Sequence, residues 1–106
     1  MNLKVYRRVS AVIFALCLLG FGFSQQAFSI NLQEKANFEL GLDYLNQGNY
    51  MQAQKYFKKV TVINPANALA HYNLAVALKN LGSAEESDAE FQLALANKTP
   101  STVFPG

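Results

Sequence analysis

Hydrophobic positions from Asn31 onward recur every three or four residues, the spacing that places side chains on one face of a helix. Gly48 and Gly82 interrupt the pattern where helices commonly end, and Asn64 does so because a residue before proline avoids helical backbone. The pattern therefore predicts an all-α fold with four helices joined by short turns. The predicted bounds are residues 31–47, 50–63, 68–81 and 84–97.

Polar residues at the starts of these segments predict how the helices are capped. Asn31 is predicted to begin the first helix, with Glu34 reaching back to it. Ser83 and Glu86 have the spacing of a capping box before the fourth helix. The caps predicted for the second and third helices are Asn49 and Asn67.

The apolar stripes predict which side chains pack between helices. Gly41 lies in a helix interior, where glycine costs about 1 kcal/mol relative to alanine. We therefore expect it to allow the close approach of a second helix, with Ala53 facing it. Further inward positions are predicted at Ala36, Leu40 and Tyr44 of the first helix, and at Ala84, Ser87, Phe91, Ala94 and Leu95 of the fourth.

The stretch from 31 to 97 contains one pattern written twice, 34 residues apart. Leu40 corresponds to Leu74, and Gly48 corresponds to Gly82. A fixed period of this length is typical of stacked helical hairpins, in which each unit buries its apolar face on a neighbour. The other matched pairs are Phe57 with Phe91 and Val60 with Ala94.

The recurring positions resemble the signature of a tetratricopeptide repeat. The second copy departs from it in two places, since Ser87 replaces the usual alanine and the closing proline is shifted to Pro100. The resemblance implies two antiparallel helical hairpins, 34–67 and 68–100, stacked into a right-handed superhelix. The matching residues are Leu40, Gly41, Tyr44, Gly48, Tyr50, Ala53, Phe57, Val60 and Pro65, then Leu74, Ala75, Leu78, Gly82, Ala84, Phe91, Ala94 and Leu95.

In this family the first helix of each hairpin lines a concave surface that holds a partner segment. Some members clamp a C-terminal carboxylate there, but Phe38 and Leu42 stand where that clamp needs Lys and Asn. Leu42, Leu69 and Val76 could instead be buried between the hairpins. The implied surface residues are Lys35, Phe38, Leu42, Leu45, Asn46, Leu69, Tyr72, Asn73, Val76, Lys79 and Asn80.

The first 29 residues have the composition of a secretory signal peptide. A basic start is followed by an apolar run at 9–23, and small residues stand two apart at Ala27 and Ser29. Cleavage is predicted after Ser29, with Ser24 as the weaker site, and the product would be periplasmic, lumenal or secreted. The alternative is an uncleaved anchor formed by 9–23, although this run is shorter than the roughly 20 residues a span requires.

The net charge and the residue types present exclude several classes of function. From residue 30 onward, six lysines stand against seven acidic residues, a net charge of −1, so we expect no nucleic-acid binding. One Cys and one His, His71, cannot form the usual zinc site, and no cofactor or catalytic motif is present in the sequence. We expect a protein that is not an enzyme. Lys55, Lys58 and Lys59 are predicted to form a solvated face.

Two function hypotheses follow. The first is an exported interaction module that binds a protein partner or peptide on its concave face. The second is a structural unit of the cell envelope that dimerises, or a membrane-anchored assembly factor. In the dimer, the residues buried against another copy would be Phe91, Leu95, Val103 and Phe104. The tail at 98–106 shows no periodicity and is predicted to be loose.

Overall fold

The computed structural model describes residues 21–105, with side chains from residue 27 onward. Over that range the chain forms four α-helices and no strand, which confirms the all-α prediction. Within it, no helix combines the length and apolar character needed to span a bilayer. The basic start and most of the apolar run of the proposed signal peptide lie outside the described residues. The helices are α1 (Phe21–Asn46), α2 (Tyr50–Ile63), α3 (Ala68–Asn80) and α4 (Ala84–Ala96).

Helix α1 begins well before the predicted start at Asn31, which therefore lies inside the helix and caps nothing. No glycine or proline occurs between 24 and 40, so nothing in the sequence interrupts helical backbone there. Glu34 has a different role from the one predicted. Its Oε1 accepts hydrogen bonds from the side-chain amides of Asn64, at 2.9 Å, and Asn67, at 2.8 Å. The carboxylate thus ties α1 to the turn between α2 and α3, inside the compact unit 33–106.

The glycines that follow α1 and α3 make the same turn. Gly48 has a φ of 74° and Gly82 a φ of 86°, a left-handed backbone that side chains with a Cβ disfavour. The next backbone N–H then closes each helix end, from Asn49 to the Tyr44 carbonyl and from Ser83 to the Leu78 carbonyl, both at 2.9 Å. The predicted helix ends are confirmed, and both hairpins close by the same geometry.

Of the four predicted caps, those before α2 and α3 are confirmed. The Asn49 side chain accepts from the Gln52 N–H at 3.3 Å, and that of Asn67 accepts from the Ala70 N–H at 3.0 Å. The predicted capping box at Ser83 is wrong in one respect, because this side chain makes no capping hydrogen bond. Acidic residues in the first turn of α4 remain favourable for the helix dipole.

The core lies where the two hairpins meet. Phe57 of α2 is fully buried in one cluster with Leu74 and Leu78 of α3. Gly41 lies against the Phe57 ring, since a Cβ built on it would come within 2.6 Å of the ring carbon Cε1. The predicted close approach of the second helix at Gly41 is therefore confirmed, and the aromatic ring leaves no room there for a side chain.

Several predicted inward positions face solvent instead. Leu40 is 41% exposed, whereas its counterpart Leu74 is only 2% exposed. Leu74 packs against the first hairpin, and no hairpin among the described residues packs on the corresponding side of Leu40. On α4, Ser87 is buried as predicted, and Leu95 is 58% exposed. Ala36 and Ala84 are likewise exposed, contrary to prediction.

Candidate interaction surface

Two aromatic side chains of the predicted surface occupy equivalent places in the two copies. The rings of Phe38 and Phe57 meet edge to face, with centroids 5.7 Å apart and an interplanar angle of 66°. Tyr72 meets Phe91 in the same way, at 5.5 Å and 64°. Both Phe38 and Tyr72 are half-buried, so each ring contributes to packing with one part and is accessible with the other.

The aliphatic members of the predicted surface are half-buried as well. Leu42 and Leu45 of α1 pack against the core cluster at the hairpin interface. Leu69 and Val76 of α3 show the same intermediate exposure. For Leu42, the two alternatives raised for the sequence, surface and inter-hairpin core, therefore both apply in part.

Polar members of the predicted surface divide into exposed and buried groups. Asn73 is only 5% exposed, and its side-chain amide donates to the Leu69 carbonyl at 2.8 Å. Asn73 therefore differs from the prediction, because a buried side chain that bonds within its own helix presents almost no area to a partner. Asn80 is exposed and donates to the Val76 carbonyl at 2.8 Å. The remaining exposed members are Lys35, Asn46 and Lys79.

His71 is buried, and both of its ring nitrogens have partners. Nε2 donates to the Pro65 carbonyl at 2.7 Å, and Nδ1 lies 2.6 Å from a carboxylate oxygen of Glu90. The ring thus joins α3 to the preceding turn and to α4. The histidine therefore has a packing role. Across the described residues, no three His, Cys, Asp or Glu side chains are grouped to hold a metal.

An open groove of about 550 Å³ lies between α1 and α2. Its lysines, predicted to form a solvated face, in fact border an apolar cleft that no sequence pattern indicates. Nearby, Tyr44 stacks on Tyr56 with centroids 5.5 Å apart, and the Lys59 ammonium lies 4.9 Å from the Tyr56 ring. The lining residues are Gln33, Asn37, Lys55, Lys58, Lys59, Val62 and Ile63.

The last described residues, predicted to be loose, contact α3. The Phe104 ring stacks on Tyr72, and the Tyr72 hydroxyl donates to the Pro105 carbonyl at 2.6 Å. This contact covers part of the surface predicted from the sequence. No periodic pattern in the sequence predicts this contact, because a single aromatic residue in a polar tail does not indicate where it packs.

Comparison with known proteins gives a consistent picture. Residues 38–101 match the tetratricopeptide repeat family. The type IV pilus assembly protein PilF of Pseudomonas aeruginosa is 39% identical over 62 residues, which are 58% of this chain and 25% of that protein. Subunit 12 of the mouse (Mus musculus) trafficking protein particle complex is 41% identical over 44 residues, which are 42% of this chain and 6% of that protein. The chain thus spans a quarter or less of the length of these relatives.

Proposed function

Because the chain belongs to the tetratricopeptide repeat family, we propose that it binds an extended segment of a partner protein along α1 and α3. Tetratricopeptide repeats are protein–protein interaction modules, and proteins of this family are generally non-enzymatic scaffolds. The proposed binding surface comprises the accessible parts of α1 and α3, and we call it the α1/α3 surface. Its residues are Lys35, Phe38, Leu42, Leu45, Asn46, Leu69, Tyr72, Val76, Lys79 and Asn80.

The single observation that carries this proposal is the distribution of exposure across the α1/α3 surface. Its apolar side chains are half-buried, so they keep fixed positions while still offering apolar area. Its exposed members are lysines and asparagines, which can donate hydrogen bonds to backbone carbonyls of a partner. An apolar centre with a polar rim is the arrangement found at energetically important protein interfaces.

Substitutions at the rim separate binding from folding better than substitutions at the rings. Phe38 and Tyr72 pack edge to face on buried or half-buried aromatic rings, so their truncation would alter stability as well as binding. Lys79 and Asn80 are exposed and lie at the end of α3. They therefore offer the cleaner test.

The test is affinity capture from an envelope extract with the full chain as bait. Lys79→Glu combined with Asn80→Ala is expected to reduce capture of a specific partner at least tenfold, a loss of about 1.4 kcal/mol in binding. The matched control places the same kinds of change on exposed α4 positions, Asp88→Lys with Gln92→Ala. Equal capture by both variants and the unaltered chain would overturn the proposal.

We also propose that the protein is exported and that its signal is cleaved after Ser29. The basic and apolar N-terminal segments support this, as does similarity to a protein named for type IV pilus assembly. Cleavage there would leave the compact unit 33–106 whole. Intact-mass measurement of the native protein should give a chain starting at Ile30. A chain retaining Met1 in the membrane fraction would favour the anchored alternative instead.

Exposed leucines on α4 favour a second candidate, a homodimer. Leu93 and Leu95 both face solvent, and burying them on another copy would remove apolar area from water. Sedimentation at micromolar concentration should then show a dimer that Leu95→Glu dissociates. A monomer at every concentration tested would remove this candidate.

A further inference from the structure

The C-terminal segment of the chain occupies the Tyr72 end of the α1/α3 surface. Its Phe104 ring lies nearly parallel to the Tyr72 ring, with centroids 4.9 Å apart and an angle of 15°. The Tyr72 hydroxyl donates to the carbonyl of Pro105, the next residue, at 2.6 Å. One side chain of α3 therefore contacts two successive tail residues, one through its ring and one through its hydroxyl.

The tail is shaped to return to α3 after α4 ends. Thr102 donates its N–H to the Thr99 carbonyl at 2.9 Å, and the Thr99 N–H donates to the Thr102 hydroxyl oxygen at 3.0 Å. These bonds close a turn that reverses the chain. The Lys98 ammonium lies over the Phe104 ring, 5.8 Å from its centre, and makes a cation–π contact with it.

Comparison with the first repeat shows what the tail covers. Phe38 and Tyr72 are equivalent, and each meets the equivalent phenylalanine of its own hairpin edge to face. Phe38 is packed against the core cluster to which the next hairpin contributes Leu74. At Tyr72, Phe104 supplies the covering contact instead. The tail ring is thus a second aromatic partner of Tyr72, in addition to Phe91.

We propose that Tyr72 is a recognition site for an aromatic residue and the backbone carbonyl of the residue after it, and that Phe104 and Pro105 are its built-in occupant. A partner segment of the same chemistry would displace the tail by stacking on Tyr72 and accepting a hydrogen bond from its hydroxyl with a backbone carbonyl. This inference rests on the proposed function, because it names the kind of segment bound at one end of the α1/α3 surface.

The contact is of a strength that allows exchange. One stacked aromatic pair and one neutral hydrogen bond are each weak contacts in water. A short tether gives the tail an effective concentration in the millimolar range. The tail therefore competes with a weak external segment and yields to one that makes additional contacts along α1 and α3.

The experiment uses the tail's own sequence as the probe. A fluorescently labelled peptide Ser-Thr-Val-Phe-Pro-Gly is titrated into the full chain and into its Phe104→Ala variant, and binding is followed by anisotropy. Removing the competing ring should tighten peptide binding at least about threefold. Val103→Ala is the matched control, since Val103 is 79% exposed, and it should behave as the unaltered chain.

Two further arms keep the test specific. A peptide with alanine in place of phenylalanine should not bind either protein. Tyr72→Phe, added to Phe104→Ala, retains the ring and removes the hydroxyl, so it should weaken peptide binding several-fold while the helical circular dichroism stays unchanged. Equal affinity of the peptide for the unaltered chain and for Phe104→Ala, or no binding to Phe104→Ala, would overturn the inference.

The outcome is distinguishable from failure of the proposed function. If the peptide does not bind but Lys79→Glu with Asn80→Ala abolishes partner capture, the α1/α3 surface stands and the tail's role does not. If the peptide binds Phe104→Ala more tightly than the unaltered chain, but Lys79→Glu with Asn80→Ala leaves partner capture unchanged, the Tyr72 site is supported and the wider surface is not.

Discussion

The two repeats share a sequence pattern but differ in which of their equivalent residues are buried. Leu74 is buried by contact with the first hairpin, whereas Leu40, at the same position of its repeat, faces solvent. His71 is buried with partners at both ring nitrogens, whereas the equivalent Asn37 borders an open groove. Burial in this fold is therefore set by the neighbour that a repeat packs on, and the repeat pattern alone does not determine it.

This difference locates the stability of the molecule at the interface between hairpins. In a stacked repeat, each unit adds its own stability and that of its contact with the next unit. Here one such contact exists among the described residues, centred on Phe57, Leu74 and Leu78. The outward sides of both hairpins contribute less to folding and are correspondingly free to serve recognition.

The largest expected effect comes from the leucine pair. Leu74→Ala should lower the free energy of unfolding by about 2–5 kcal/mol, because it removes a buried side chain from the interface and leaves a cavity. Leu40→Ala should cost less than about 1 kcal/mol, because its side chain is already partly hydrated. Urea unfolding followed by circular dichroism measures both. Similar losses for the two variants would contradict the difference in burial.

A smaller effect is expected where the two repeats differ in sequence, at Gly41 and its counterpart Ala75. Gly41→Ala makes the first repeat like the second, but its new Cβ would meet the buried Phe57 ring. We expect a loss of about 1–3 kcal/mol from this overpacking. The loss should shrink in a Phe57→Leu background, and a double-mutant cycle measures that coupling. An unchanged loss would mean that the ring is not what excludes the methyl group.

The His71 position gives the next test. His71→Asn places in the second repeat the residue that the first repeat has, and it breaks the bond to the Pro65 carbonyl or to the Glu90 carboxylate, or both. A loss of about 1–2 kcal/mol is expected, because a half-buried carboxylate is left without its partner. Glu90→Gln, which keeps the shape and a hydrogen-bonding group, should cost less. Thermal unfolding compares the two variants.

The smallest effect concerns the helix caps. Asn49→Ala should cost about 1 kcal/mol, because it removes the acceptor for the Gln52 N–H at the start of α2. Ser83→Ala, at the equivalent position before α4, should be nearly neutral because that side chain makes no capping bond. Guanidinium unfolding resolves this difference. A loss at Ser83 as large as that at Asn49 would show that the two caps are alike.

Local features of the fold could be predicted from the sequence, and features that depend on neighbours could not. Helix ends at Gly48 and Gly82 follow from backbone sterics, and the cap at Asn67 follows from side-chain chemistry, so both are local. The exposure of Leu40 depends on whether another hairpin packs on it. The extension of α1 before Asn31 was missed because a capping pattern was given more weight than the absence of any residue that stops a helix.

The same division applies to the candidate site. The assignment of the proposed α1/α3 surface to these two helices is implied by the family resemblance. That Asn73 is buried, and that Phe104 lies on Tyr72, depends on how side chains meet in three dimensions. Of two residues on the same face of a helix, one can be buried and the other exposed, because the neighbouring helix covers only part of that face.

The most direct test of the central claim is site-specific photo-crosslinking of the full chain in its native extract. A photoreactive amino acid is placed at the equivalent exposed positions Asn46 and Asn80 of the α1/α3 surface, and at the equivalent exposed positions Lys58 and Gln92 of α2 and α4. The account predicts one partner adduct from Asn46 and Asn80 and little from the other two. Adducts of equal yield from all four positions, or only from Lys58 and Gln92, would contradict it.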